Sequence, residues 1–118
     1  MTTLNLFSAT TLQGRTNYAT LTATMANVVV NAVNSSTAYK INDVMISNTS
    51  SGPITANINI LRGTTTYNLV SNIGVPGYSM LVVTGKDTPL YLEENDALQG
   101  SANVAGVVTM ICSYEYMS

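Results

Sequence analysis

The stretch ITANINIL, residues 54–61, alternates apolar and polar side chains. Ile54, Ala56, Ile58 and Ile60 share one parity, and Thr55, Asn57 and Asn59 share the other. Successive side chains of a β-strand point to opposite faces, whereas a helical stripe repeats every 3.6 residues, so the pattern specifies a strand with one buried and one wet face. The run VVTMICSYEYM, residues 107–117, does the same: Val108, Met110, Cys112, Tyr114 and Tyr116 alternate with Thr109, Ser113 and Glu115. Ile111 breaks the polar parity, which places an apolar side chain where it can touch a neighbour.

Further strand-like runs cover residues 23–31, 38–47, 65–71, 78–84, 89–93 and 97–102. In AYKINDVMIS the apolar parity changes near Asn42–Asp43, the signature of a β-bulge. Gly, Pro, Asn or Asp punctuates the runs at NTSSGP, RGTT, GVPG, TGKD, EEND and ANVAG. The segments free of Gly and Pro are rich in Thr, Asn and Val, which favour strands and turns over helix. The expectation is an all-β protein, an antiparallel β-sandwich of about eight strands, jelly-roll-like.

Residues 1–22 differ from the rest. Their apolar positions Leu4, Leu6, Phe7 and Leu12 are scattered, and Phe7 is the only Phe of the chain. The segment is either a first strand or an extended arm lying on another subunit, and residues 23–118 form the sandwich domain. An arm of about 20 residues reaches tens of ångströms.

The composition narrows the functions. Charged residues make up 8% of 118 residues, and four basic against six acidic side chains leave a net charge of -2. Thr, Asn and Ser supply about a third of the chain instead. A nucleic-acid partner requires clustered Lys and Arg to neutralise phosphates. Here Arg15, Lys40, Arg62 and Lys86 are widely spaced, so no nucleic acid is expected. No run approaches the roughly 18 apolar residues of a membrane helix, and the first residues lack the basic start and apolar core of a signal peptide, so cytoplasmic synthesis is expected. A surface this poor in charge repels its neighbours weakly, which suits a part built into an assembly.

The same chain offers little chemistry. It has no His, the commonest general base and zinc ligand. Cys112 is the single cysteine and lies in an apolar run, so it reads as a small buried hydrophobe. No phosphate-binding glycine loop is present. Residues 81–100 hold five of the ten charged side chains, among them Glu93, Glu94 and Asp96. LYLEENDAL reads as strand, tight turn, strand, with Asn95 able to take the left-handed conformation and Asp96 able to bond its own backbone. Carboxylates on such a turn are expected to be solvated. A surface Ca²⁺ site would need six or more oxygens, and a glycosidase would need a cleft with paired acids. No catalytic residue, metal or cofactor is therefore expected. Sugar stacking on some of the seven Tyr is the other option for a small sandwich, although Tyr39 and Tyr114 fall at inward parity.

From about residue 37 onward the order of short patterns resembles a known group. YKINDVMISNTSS is followed by ITANINILRGTTTYNL, VPGYSMLVV, PLYLEENDAL and VVTMICSYEYMS. This series resembles small β-sandwich structural proteins of tailed-phage virions, many of them from phages of cyanobacteria. The resemblance implies a capsid decoration, or cement, protein that binds the shell surface. A neck, tail or fibre component and a host-glycan-binding module are the alternatives. It further implies a virion location, major capsid protein or other virion proteins as partners, and a trimeric or dimeric homo-oligomer. The expected assembly contacts are Leu4, Leu6 and Phe7, with Tyr116 and Met117 on the last strand.

Overall fold

In the computed structural model, residues 12–85 and 90–118 are described. They form nine strands: β1 (Leu12–Thr20), β2 (Ala26–Val30), β3 (Ala38–Asn48), β4 (Ile54–Arg62), β5 (Thr65–Val75), β6 (Ser79–Thr84), β7 (Leu90–Leu92), β8 (Asp96–Ala102) and β9 (Val108–Met117). One sheet has the order β1-β9-β3-β6, with β7 also paired to β3; the other has the order β2-β8-β4-β5. Every pairing is antiparallel. Apart from the β4–β5 hairpin and the β6–β7 step, successive strands cross from sheet to sheet, a winding like that of a jelly roll. The expected class is observed, with β1 as the strand beyond the eight.

The core lies between the two inner faces. Leu21, Ile41, Ile46, Ile58, Leu92, Leu98 and Met110 are at most 1% exposed. Burial of each such side chain contributes about 1.5–3 kcal/mol. The bulge expected near Asn42 is present as a register shift between Ile41 and Asp43 against β9. It allows Ile41 and Val44, three apart, both to face inward at 0% exposure. The alternation of β4 slips where the sequence showed none. Pairing with β5 shifts on both sides of Ile58, and Asn59 is buried beside it at 8% exposure.

Two buried asparagines fasten the loops. Asn48, at the end of β3, donates through Nδ2 to the carbonyls of Gly52, Val75 and Pro76, while its Oδ1 accepts from Ser50. Asn31, just after β2, donates to the carbonyls of Thr37 and Leu92. Its backbone also bonds to both Asn95 and Asp96, so the 31–37 loop lies against the β7–β8 turn. A buried polar group is tolerable only when satisfied in this way.

Candidate assembly surface

The acidic turn is structural. Asn95 takes φ 68°, and the Glu93 amide donates to Asp96 Oδ2 at 2.8 Å, as the turn chemistry requires. The expectation that these carboxylates are solvated is corrected. Only Glu93 is exposed; Glu94 is 5% and Asp96 1% exposed. For Asp96 the partner is long-range. Arg62, at the end of β4, reaches Asp96 through Nε and Nη2 at 2.9 and 2.8 Å, and Glu93 at 3.0 Å. Hydrogen bonding to Asp96 is the main cause that raises the Arg62 pKa and holds the guanidinium charged. Both Glu94 carboxylate oxygens are buried with no hydrogen-bond partner, a cost the rest of the fold offsets. Among the described residues, no group of three His, Cys, Asp or Glu is placed to hold a metal ion.

Cys112 faces the core at 0% exposure. Burial, and then the nearby Asp43 charge, push its thiol up to about 12. The folded state therefore favours the protonated thiol. The stability this gives is complete below pH 9.0, the unperturbed value, and is lost as pH rises toward about 12. Between pH 7 and pH 10.5 the chain should lose about 1–2 kcal/mol of unfolding free energy through this group. Urea titrations at the two values check this, and Cys112→Ala should flatten the difference.

The outer face of the β1-β9-β3-β6 sheet carries a different feature. Val82 pairs with Met45, Met45 with Ile111, and Ile111 with Tyr18. Residues directly opposite in a sheet share a face. These four therefore form one apolar row across four strands; the row on one side of it holds Thr20, Thr109, Ser47 and Met80, and the row on the other holds Thr16, Ser113 and Asp43. The ends of the row are open: Tyr18 is 76% and Val82 52% exposed. Met80, two residues before Val82 on β6, is also exposed.

Tyr78 stands beside this row. Its ring is largely exposed and its φ is 52°, a left-handed conformation that costs a bulky residue about 1–3 kcal/mol. The close packing of Gly77 on Ser51 and the Tyr78 amide bond to the Ser50 carbonyl fix that turn. A shallow open depression is lined by Ser47, Asn48, Thr49, Tyr78, Ser79 and Met80. Side-chain donors of Asn48, Thr49 and Ser79 are already spent on backbone carbonyls. What this depression presents freely is largely the ring and thioether of Tyr78 and Met80.

The expected contact residues are distributed as follows. Leu4, Leu6 and Phe7 lie outside the described residues. Met117 is 9% exposed and so packs within its own domain. Tyr116 is half-buried; its ring lies 5.7 Å from Tyr39 and under the Arg15 guanidinium at 5.1 Å. Tyr39 also stacks on Tyr114 at 5.0 Å, in keeping with the inward parity of both. Burial, and then the neighbouring phenols of Tyr114 and Tyr116, raise the Tyr39 pKa. The residues of the apolar row were not gathered by sequence reasoning. Ile111 alone signalled it, because an apolar residue on the polar parity is visible without knowing the register.

Fold and surface together define a jelly-roll sandwich with an apolar outer row. Over its full length the chain is similar in structure to a protein of Bacillus endospore appendages, which form disulfide-linked pili. The TM-score is 0.53 at 15% identity, covering 100% of this chain and 96% of that one. This establishes a shared fold. Two viral structures are more distant. A pentameric capsid protein from metagenomic phage sequences has a TM-score of 0.39 at 19% identity, covering 86% of this chain and 59% of that one. Infectious bursal disease virus Gx strain has a TM-score of 0.42 at 12% identity, covering 93% and 34%. Both scores are too low for fold assignment. No protein-family model matches the sequence, and no curated protein matches it.

Proposed function

We propose that this chain is a structural protein of a tailed-phage virion, a capsid decoration protein that binds the shell surface and stabilises it through subunit contacts. The observation that carries the reading is the uncharged row Val82–Met45–Ile111–Tyr18 on an outer sheet face. An exposed apolar strip marks a protein contact. The low charge of the chain and its sequence resemblance to virion proteins support the same conclusion. Leu4, Leu6 and Phe7 add an N-terminal contact to the neighbouring subunit or to the major capsid protein. The half-exposed Tyr116 adds a contact from the last strand.

Heads assembled with and without the protein provide the test. Heads that carry it should take it up stoichiometrically and open at a higher temperature, by several degrees in calorimetry. Equal thermal stability of the two, with defective tails in its absence, would instead favour a neck, tail or fibre part. The shared fold with a pilus protein gives that second reading its support, since the fold is built into a filament there. Disulfide linkage of the pilus kind is not open to this chain through Cys112, which is buried at 0% exposure.

A further inference from the structure

We propose that β6 is a self-association edge, which pairs antiparallel with β6 of a second copy about a two-fold axis. The inference rests on the reading of the chain as an assembly part and names one of its contacts. β6 ends its sheet, and among the described residues no strand pairs with its far side. Such an edge displays unpaired amides and carbonyls, and folded proteins blunt it with charge, Pro or irregularity. β6 reads SMLVVT, with no charge and no Pro. Its one register shift lies toward the Thr84 end, so Ser79–Val82 run straight against Asn48–Met45.

The other edges differ. β1 carries Arg15 and Gly14. β2 has five residues and a register shift, and the pairing of β5 with β4 shifts twice. Only β6 combines a straight stretch with exposed Met80 at 56% and Val82 at 52%, while Leu81 and Val83 pack on the core.

A second copy fits this edge best. No charged side chain occurs on β6 or on the β3 residues paired with it, Val44 to Asn48. A charged partner would find nothing to pair with, whereas the neutral strip matches itself. Antiparallel pairing brings Met80 and Val82 of both copies onto one face and runs the two apolar rows together across the joined sheets. The contact is small. Six residues span about 20 Å, well short of the roughly 800 Å² per partner of a stable complex. The pair is therefore weak in dilute solution and is reinforced where many copies are held on one scaffold.

Cross-linking of single-cysteine substitutions tests this on the purified full chain. Cys112 is buried and stays silent in the folded protein. In the pair, the two Val82 positions lie within reach of a short bis-maleimide. The two Tyr18 positions sit seven strand spacings apart, about 34 Å. Val82→Cys should give covalent dimer at least tenfold faster than Tyr18→Cys at the same concentration. Sedimentation of the unaltered chain should show concentration-dependent dimer that Val82→Lys abolishes. Equal cross-linking rates, or dimer unchanged in Val82→Lys, would overturn the proposal. These readouts need no shell, so their failure is separate from a failure of shell binding.

Discussion

Gly77→Ala should lower the unfolding midpoint by about 10 °C. A Cβ at residue 77 would overlap the Ser51 carbonyl, with the carbonyl carbon only 2.6 Å away. The obstacle is backbone, so no rotamer change relieves it. The 48–53 loop is itself fixed by Asn48, which holds Gly52, Val75 and Pro76 together. One side must move, at a cost of about 3 kcal/mol. Gly14→Ala is the control, because a Cβ there meets nothing within 4 Å. Calorimetry should show it unchanged or slightly stabilised, since alanine restricts the unfolded chain.

Asn31→Ala should cost about 3 kcal/mol in urea titration without altering the denaturant slope. The side chain is 0% exposed and satisfies four groups at once. Nδ2 donates to the Thr37 and Leu92 carbonyls at 3.0 Å each, while Oδ1 accepts from Ser35 Oγ at 2.6 Å and Thr37 Oγ1 at 2.9 Å. Truncation leaves two carbonyls without a donor in a place water does not reach. The Ser35 and Thr37 hydroxyls still bond each other at 2.7 Å, so part of the network survives. Asn31→Asp should be worse than alanine. It keeps the acceptor but turns a negative charge on two carbonyl oxygens. An aspartate variant more stable than the alanine variant would show that the donors are not what holds this loop.

Much of the sandwich could be read from the sequence because its central strands have one buried face. Residues 108–116 alternate cleanly since β9 lies between β1 and β3, with its even positions in the core. The bulge at Asn42 was legible for the same reason: only an inserted residue brings Ile41 and Val44 to one side. β1 was legible only as one of two alternatives, strand or arm. It is an edge strand exposed over most of its length, so no buried face imposes a period on it. The carboxylate turn was half legible. Local chemistry announced the Asn95 conformation and an Asp96 side-chain bond to the turn backbone, made here with the Glu93 amide. Burial of Asp96 goes with its bonds to Arg62, some thirty residues away, and to the Asn31 backbone; no contact among the described residues explains the burial of Glu94. The apolar row was hidden because Tyr18, Met45, Val82 and Ile111 become neighbours only through the register of four separated strands.

The pairing of β1 with β9 along all nine residues of β1 has a consequence for how the molecule comes into being. β9 is also the strand that joins β1 to β3. A nascent chain that still lacks residues 108–117 therefore has no middle to that layer, and its earlier ribbons wait without their main partner. Such distant pairings make folding slow, on the scale of milliseconds to seconds. On the ribosome, maturation must follow the emergence of β9 and cannot proceed piece by piece, which leaves the neutral β6 strip bare while its layer is incomplete.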